Sequence, residues 1–172
     1  MPTREDQKIL ASLNRDSSPG FRGTYLGYIF VLRLFLGAKF FQMGQDHLNH
    51  PGPLRALLHE WMTNPNHAFW VYQDFLRQIV MTHFSGFHVL LAVSEIAIGI
   101  ALLLGLLTRV SALVALLISL NFWLASGLAS SITASLCETL AVVEFIVLCA
   151  GPGRWLGLDS FLARRFPRAP FW

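Results

Sequence analysis

Two cations, Arg33 and Lys39, stand inside the apolar stretch VLRLFLGAKFF (31–41). Acids stand in comparable settings, Glu95 in VSEIAIG and Glu138 and Glu144 in CETLAVVEF, and a fourth apolar run carries an amide, Asn121. A charge withdrawn from water costs several kcal/mol unless it is paired, so such groups are expected to face one another and to mark a working site. Arg33 and Lys39 are expected to be neutralised by Glu144, Glu138 and Glu95, with outward snorkelling as the alternative for Lys39, which points about 120° away from Arg33 around the helix. Three acids against two bases leave one carboxyl free to carry a proton. His88, Ala92, Glu95 and Gly99 follow helical spacing and form one stripe, the layout of a proton or ligand path.

The elements that must position these groups follow from composition. Of the 172 residues, 54% are hydrophobic and 13% charged, more apolar and less charged than soluble domains. Four apolar runs, 25–44, 84–107, 110–129 and 133–150, are long enough to cross a hydrocarbon core of about 30 Å. Continuous apolar runs are the helical rather than the barrel signature. The expected fold is therefore all-α, an integral membrane four-helix bundle in a single domain over 1–172.

Orientation follows from the basic residues. Arg4, Lys8, Arg15, Arg22, Arg109, Arg154, Arg164, Arg165 and Arg168 fall on one side of such a bundle, and only Arg55 and Arg77 on the other. The positive-inside rule makes both termini, 1–22 and 151–172, cytoplasmic. No cleavable signal is expected, because the first twenty residues lack an apolar core. The formal charge of +3 then reflects topology and contact with membrane lipid, not nucleic acid. The tail FLARRFPRAPFW is expected to anchor at the interface.

The segment 45–83 is an expected extracytoplasmic loop, longer than a tight bundle needs, and long loops are often functional. After Pro53, the residues Leu54, Leu57, Leu58, Trp61 and Met62 keep helical apolar spacing, and a second amphipathic stretch holds Phe69, Tyr72, Leu76, Ile79 and Val80. Both are expected to lie on the outer membrane surface. All six histidines, His47, His50, His59, His67, His83 and His88, fall on this side. HLNH offers two imidazoles one turn apart, but no acid or cysteine completes a recognisable set, so neither metal nor haem is expected. Cys137 and Cys149 lie three turns apart on one helix and cannot bond within the chain, and there is no C-x-x-C of the thiol-disulfide enzymes.

Depth can be counted at about 1.5 Å per residue from Arg22, Arg109 and Arg154 as cytoplasmic boundaries. Arg33 and Glu144 then lie at about 16 Å and about 15 Å, Asn121 and Glu95 at about 18 Å and about 21 Å, and Glu138 and Lys39 at about 24 Å and about 26 Å. The bland alternative, buried polar groups that merely glue helices together, needs fewer ionisable groups than this chain carries.

At this point the residues resemble a family. LRLFLGAKFFQMG, with its arginine, a glycine one turn on, aromatics and a second glycine, is similar to the first helix of the DoxX family. SEIAIGIALLLGLLTRVSAL resembles its second helix and Gly-Leu-x-Thr-Arg turn, and CAGPGRWLGLDSFLARR its closing segment. The resemblance covers Arg33 to Asp159 and carries Arg33, Gly37, Glu95, Gly99, Arg109 and Asp159 onto family positions. The long first loop is similar to that of the DoxD branch, the small subunit of thiosulfate:quinone oxidoreductase.

The resemblance implies a multi-pass protein of the bacterial inner (plasma) membrane and a quinone-linked redox subunit working with another protein subunit. A quinone would lie in an apolar slot near Trp123, Phe40 and Phe41, with His88, Glu95 or Asn121 at its oxygens. Arg33 and Lys39 would attract an anion such as thiosulfate. Glu95, Arg33, Glu144 and His88 are the expected catalytic set, and Lys39, Glu138, Asn121 and Trp123 the expected substrate-binding set; the resemblance itself marks no catalytic residue, and Glu144, Glu138, Asn121 and His88 rest on the depth count alone. The alternative is a non-catalytic subunit that stabilises or assembles a larger membrane complex. A transporter ranks third, without inverted repeat or broken helix in its favour.

Overall fold

The computed structural model describes residues 19–63, 70–126, 132–151 and 157–165. The described residues are helical, without a strand, in the order α1 (Pro19–Asn49), α2 (Pro51–Thr63), α3 (Trp70–Phe75), a π-helical turn (Leu76–Val80), α4 (Phe84–Leu104), α5 (Thr108–Ser126), α6 (Ile132–Ala150) and α7 (Leu158–Arg165). Prolines open α1 and α2, where a missing N–H costs nothing. Glycines in the left-handed region, Gly105 at φ 65° and Gly151 at φ 55°, end α4 and α6.

α1 packs along α4 and α5 along α6, and contacts of α4 with α5 and of α1 with α6 join the two pairs. The α1–α4 contact is set by glycine. A Cβ on Gly37 would meet Leu103 N at 2.9 Å and Gly99 O at 3.0 Å, and one on Gly44 would meet Ala92 O and Ile96 N at 2.8 Å. Small residues at such a crossing let two backbones touch, the usual device where helices gain little from apolar burial. α4 and α5 are each long and apolar enough to cross a membrane.

Two core clusters follow. Leu36, Phe40, Ile98, Leu102, Ala112, Ala115 and Val147 fill the space among the four long helices. Leu54, Leu58, Trp61 and Met62 of α2 join Leu76, Val80, Leu91 and Ala125 in the second. Here the structure differs from a helix laid on a lipid surface: the apolar face of α2 is turned onto α4, α5 and the π-helical turn. The reason is aromatic. Trp61 meets Phe122 of α5 edge-on, with ring centroids 5.8 Å apart, which fixes α2 as a cap on one end of the helices. Tyr72 of α3 ties down the same end by donating its hydroxyl to Asn121 Oδ1 at 2.6 Å. Burial pushes that phenol up to about 12, against the opposing pull of Asn121, so it stays a donor at any physiological pH.

Candidate functional site

α1 does not stop at Gly44 but runs to Asn49, which puts His47 on its last turn instead of in a loop. There the imidazole reaches a buried acid. His47 Nδ1 lies 2.6 Å from Glu95 Oε2, and Glu95, on α4, is fully buried. At that distance one of the two carries the shared proton. The His47 ring stacks on Phe122, nearly parallel at 2° with centroids 6.4 Å apart, which fixes its plane. The other carboxylate oxygen, Oε1, is buried without a hydrogen-bond partner.

A second acid is arranged similarly. Glu144 on α6 is fully buried and accepts a hydrogen bond from Ser119 Oγ of α5 at 2.8 Å, while its Oε2 has no partner. The partners of these two acids, His47 and Ser119, line a cavity of about 460 Å³ walled by α1, α5 and α6, with Leu57 of α2. Most of its wall is apolar, with Phe35, Phe40, Leu140 and Val143 prominent, and it also exposes His47, Ser119 and Cys137. Lys39, Gln42 and Asp46 stand around it. His47 and Asp46 also line a neighbouring cleft of about 480 Å³, shared with His50, Pro53, Leu54 and Leu57.

The pairings expected from depth are not formed. Glu95 pairs instead with His47. Arg33 is 1% exposed but lies midway along α1, fourteen residues before His47, against the α4–α5 turn. Its guanidinium sits over the Phe30 ring at 4.7 Å, and Asp159 is the opposing charge nearby. Nη1 is wedged where a Cβ on Gly105 would come within 2.6 Å and one on Gly157 within 3.0 Å. Depth counting put Arg33 and Glu144 level, but it could not say which neighbour each would face: Arg33 meets α4 and α7, whereas Glu144 meets α5. Lys39 is exposed, 6.0 Å from the Phe35 ring centroid, and Glu138 accepts instead from Trp123 Nε1 at 3.0 Å. Neither Glu138 nor Trp123 lines the cavity. His88 turns back to the Ser85 carbonyl at 3.0 Å and stacks on Phe84, and Asn121 is taken by Tyr72.

Asp159 explains the closing motif. Its carboxylate accepts from Leu107 N at 2.6 Å and Thr108 N at 2.9 Å, so α7 caps the N-terminus of α5 across the fold. Its own N–H donates to Gly105 O at 2.9 Å. The cap holds Leu107 at φ 48°, a conformation that a branched side chain rarely adopts unaided. Asp159→Ala is therefore expected to lower stability by about 2 kcal/mol, the upper range for a lost cap. Asp159→Asn, which keeps an acceptor, should lose less. A thermal melt of the two variants in one detergent checks the order, and equal melting would mean that the cap does not support the turn.

His47, one of six histidines on the expected outer side, and Ser119, which is not ionisable, stand outside the expected site residues. A signal for each was present. Arg33, Phe40 and His47 recur at seven-residue spacing on one face of α1, and Ser111, Ala115 and Ser119 form a small-residue stripe on α5, all three buried.

Fold and site together define an all-α protein with helices able to span a membrane and buried acids around an apolar cavity. The chain belongs to the DoxD family, described as the TQO small subunit DoxD, whose model matches residues 28–170. No curated protein and no solved structure matches the chain significantly.

Proposed function

We propose that this chain is the small membrane-embedded subunit of a quinone-linked oxidoreductase, and that the cavity between α1, α5 and α6 receives the quinone ring. The observation that carries this reading is the apolar cavity with a histidine–carboxyl pair, His47–Glu95, in its wall. Support also comes from the family description, TQO being thiosulfate:quinone oxidoreductase. Four membrane crossings fit the outward faces, where each long helix exposes large apolar side chains: Val31 on α1, Leu90 on α4, Leu117 on α5 and Phe145 on α6, all more than half exposed. The distribution of basic residues supports a cytoplasmic side for both termini.

The residues present fit such a ligand. Phe35, Phe40, Leu140 and Val143 offer an aromatic ring apolar contact, and His47 supplies a donor at one oxygen. A bound quinone supplies two-electron, two-proton chemistry. His47 borders both the cavity and the neighbouring cleft, so it can pass a proton between that cleft and Glu95. Lys39, exposed at the cavity, is the cation available to an anion such as thiosulfate, while Arg33 is sealed away from it. A partner subunit in the same membrane complex completes the enzyme.

The test is photolabelling of the full chain in native-lipid nanodiscs with an azidoquinone. Adducts are expected on the segments 35–43 and 136–143 and should be competed away by unlabelled quinone. Labelling confined to the lipid-facing positions Leu90 and Leu117, or insensitive to competition, would leave an assembly subunit as the better account.

A further inference from the structure

The cavity has two polar groups in its wall, not one. His47 of α1 and Ser119 of α5 both line it, and each is hydrogen-bonded to a fully buried carboxyl, Glu95 and Glu144. Each carboxyl also keeps one buried oxygen without a partner, Oε1 of Glu95 and Oε2 of Glu144. A purely structural pair is normally completed, because an unsatisfied buried oxygen is costly. The two wall groups stand at different depths. His47 stacks on Phe122, and Ser119 lies three residues before Phe122, one helical turn of about 5 Å along α5. The two groups therefore meet a ligand in the cavity at different levels.

We propose that Ser119, backed by Glu144, is a second ligand-binding group of the cavity, and that it takes the carbonyl oxygen opposite the one held by His47. The proposal rests on the quinone reading and extends it: the ligand class is a ring with two opposed carbonyls. The serine hydroxyl can serve both sides because it is at once donor and acceptor and its proton rotates. With Glu144 as carboxylate, Ser119 donates to Glu144. With Glu144 carrying the proton, the carboxyl donates to Ser119 and the serine O–H turns to the ligand. Glu144 acts through the serine and is a positioning residue, whereas Ser119 makes the contact.

The two ends of the cavity differ in access. His47 also borders the cleft with Asp46 and His50, whereas neither Ser119 nor Glu144 lines it. One end is thus joined to an open cleft and the other lies deeper among the helices.

The experiment measures binding of 1,4-naphthoquinone, and of 1-tetralone with its single carbonyl, to the full chain in nanodiscs by quenching of tryptophan fluorescence. Wild type should bind the dicarbonyl roughly tenfold more tightly than the monocarbonyl, the scale of one hydrogen bond. Ser119→Ala should lose that preference, weakening for the quinone and unchanged for the tetralone, which keeps its contact with His47. Ser119→Thr, which retains a hydroxyl, should restore the preference and controls for a folding defect in the alanine variant. No quinone binding by wild type would sink the quinone reading itself. Binding by wild type with an unchanged preference in Ser119→Ala would overturn the second contact and leave that reading standing. An equal loss for both ligands in Ser119→Ala, not recovered in Ser119→Thr, would also overturn it, since that pattern is a packing change.

Discussion

Glu95→Gln is expected to insert and fold normally and to lose quinone-linked turnover about 100-fold or more, the scale of lost acid–base catalysis. The reason lies in what the substitution keeps. Glutamine preserves the length and planar shape of the carboxyl and can still bond to His47 Nδ1, which lies 2.6 Å from the native oxygen. It removes only the ability to gain and lose a proton. A carboxyl that served as glue between α1 and α4 would tolerate that change, because the hydrogen bond survives. A carboxyl that recharges His47 would not. Turnover of a quinone analogue by the assembled complex, at matched subunit levels, separates the two, and a variant with normal turnover would remove Glu95 from proton handling. His47→Gln should show a comparable loss, since His47 is the member of the pair that lines the cavity.

The course of the helices was legible because burial periodicity and apolar length are local properties of the chain. Glu95 could be singled out for the same reason: an acid in the run VSEIAIG has to be buried against something. What it faces is not local. The stripe of His88 and Glu95 suggested that these two act together, yet they lie on one helix seven residues apart. The histidine that meets Glu95 comes from α1, 48 residues away. Finding His47 required knowing that α1 continues past Gly44 through the polar sequence QDHLNH, where the signal is the seven-residue spacing of Arg33, Phe40 and His47. Arg33 shows the opposite case. Its burial was legible and its role was not. The wedge between Gly105 and Gly157, beside the Asp159 cap, makes it part of the lock between α1, α4 and α7. Ser119 was invisible to a search for ionisable groups, because its chemistry depends on Glu144 behind it. The glycines of LRLFLGAKFFQMG and SEIAIG are legible in sequence as members of a helical face and of a family resemblance. Their physical meaning, backbone-to-backbone contact of α1 with α4, appears only once both helices are placed.

That contact supports the prediction with the largest effect on the fold. Gly99→Ala is expected to destabilise the protein by about 3 kcal/mol, the upper range for overpacking a tight site. The added Cβ would lie 2.5 Å from Phe41 N and 2.8 Å from both Gly37 O and Phe41 Cα. All three are backbone atoms of α1, so no side chain can swing aside, and the two helices must move apart. The same displacement pulls His47 away from Glu95, since these residues sit on the two helices being separated, and quinone binding should weaken together with stability. Gly86→Ala is the control on the same helix. A Cβ there meets nothing within 4 Å, and replacing a helical glycine by alanine should be neutral or stabilising by up to about 1 kcal/mol. Thermal melting of both variants in one detergent, followed by tryptophan fluorescence, gives the comparison directly. If Gly99→Ala melts with Gly86→Ala, α1 and α4 are not in backbone contact at this crossing, and the alignment of His47 with Glu95 must be held by something else.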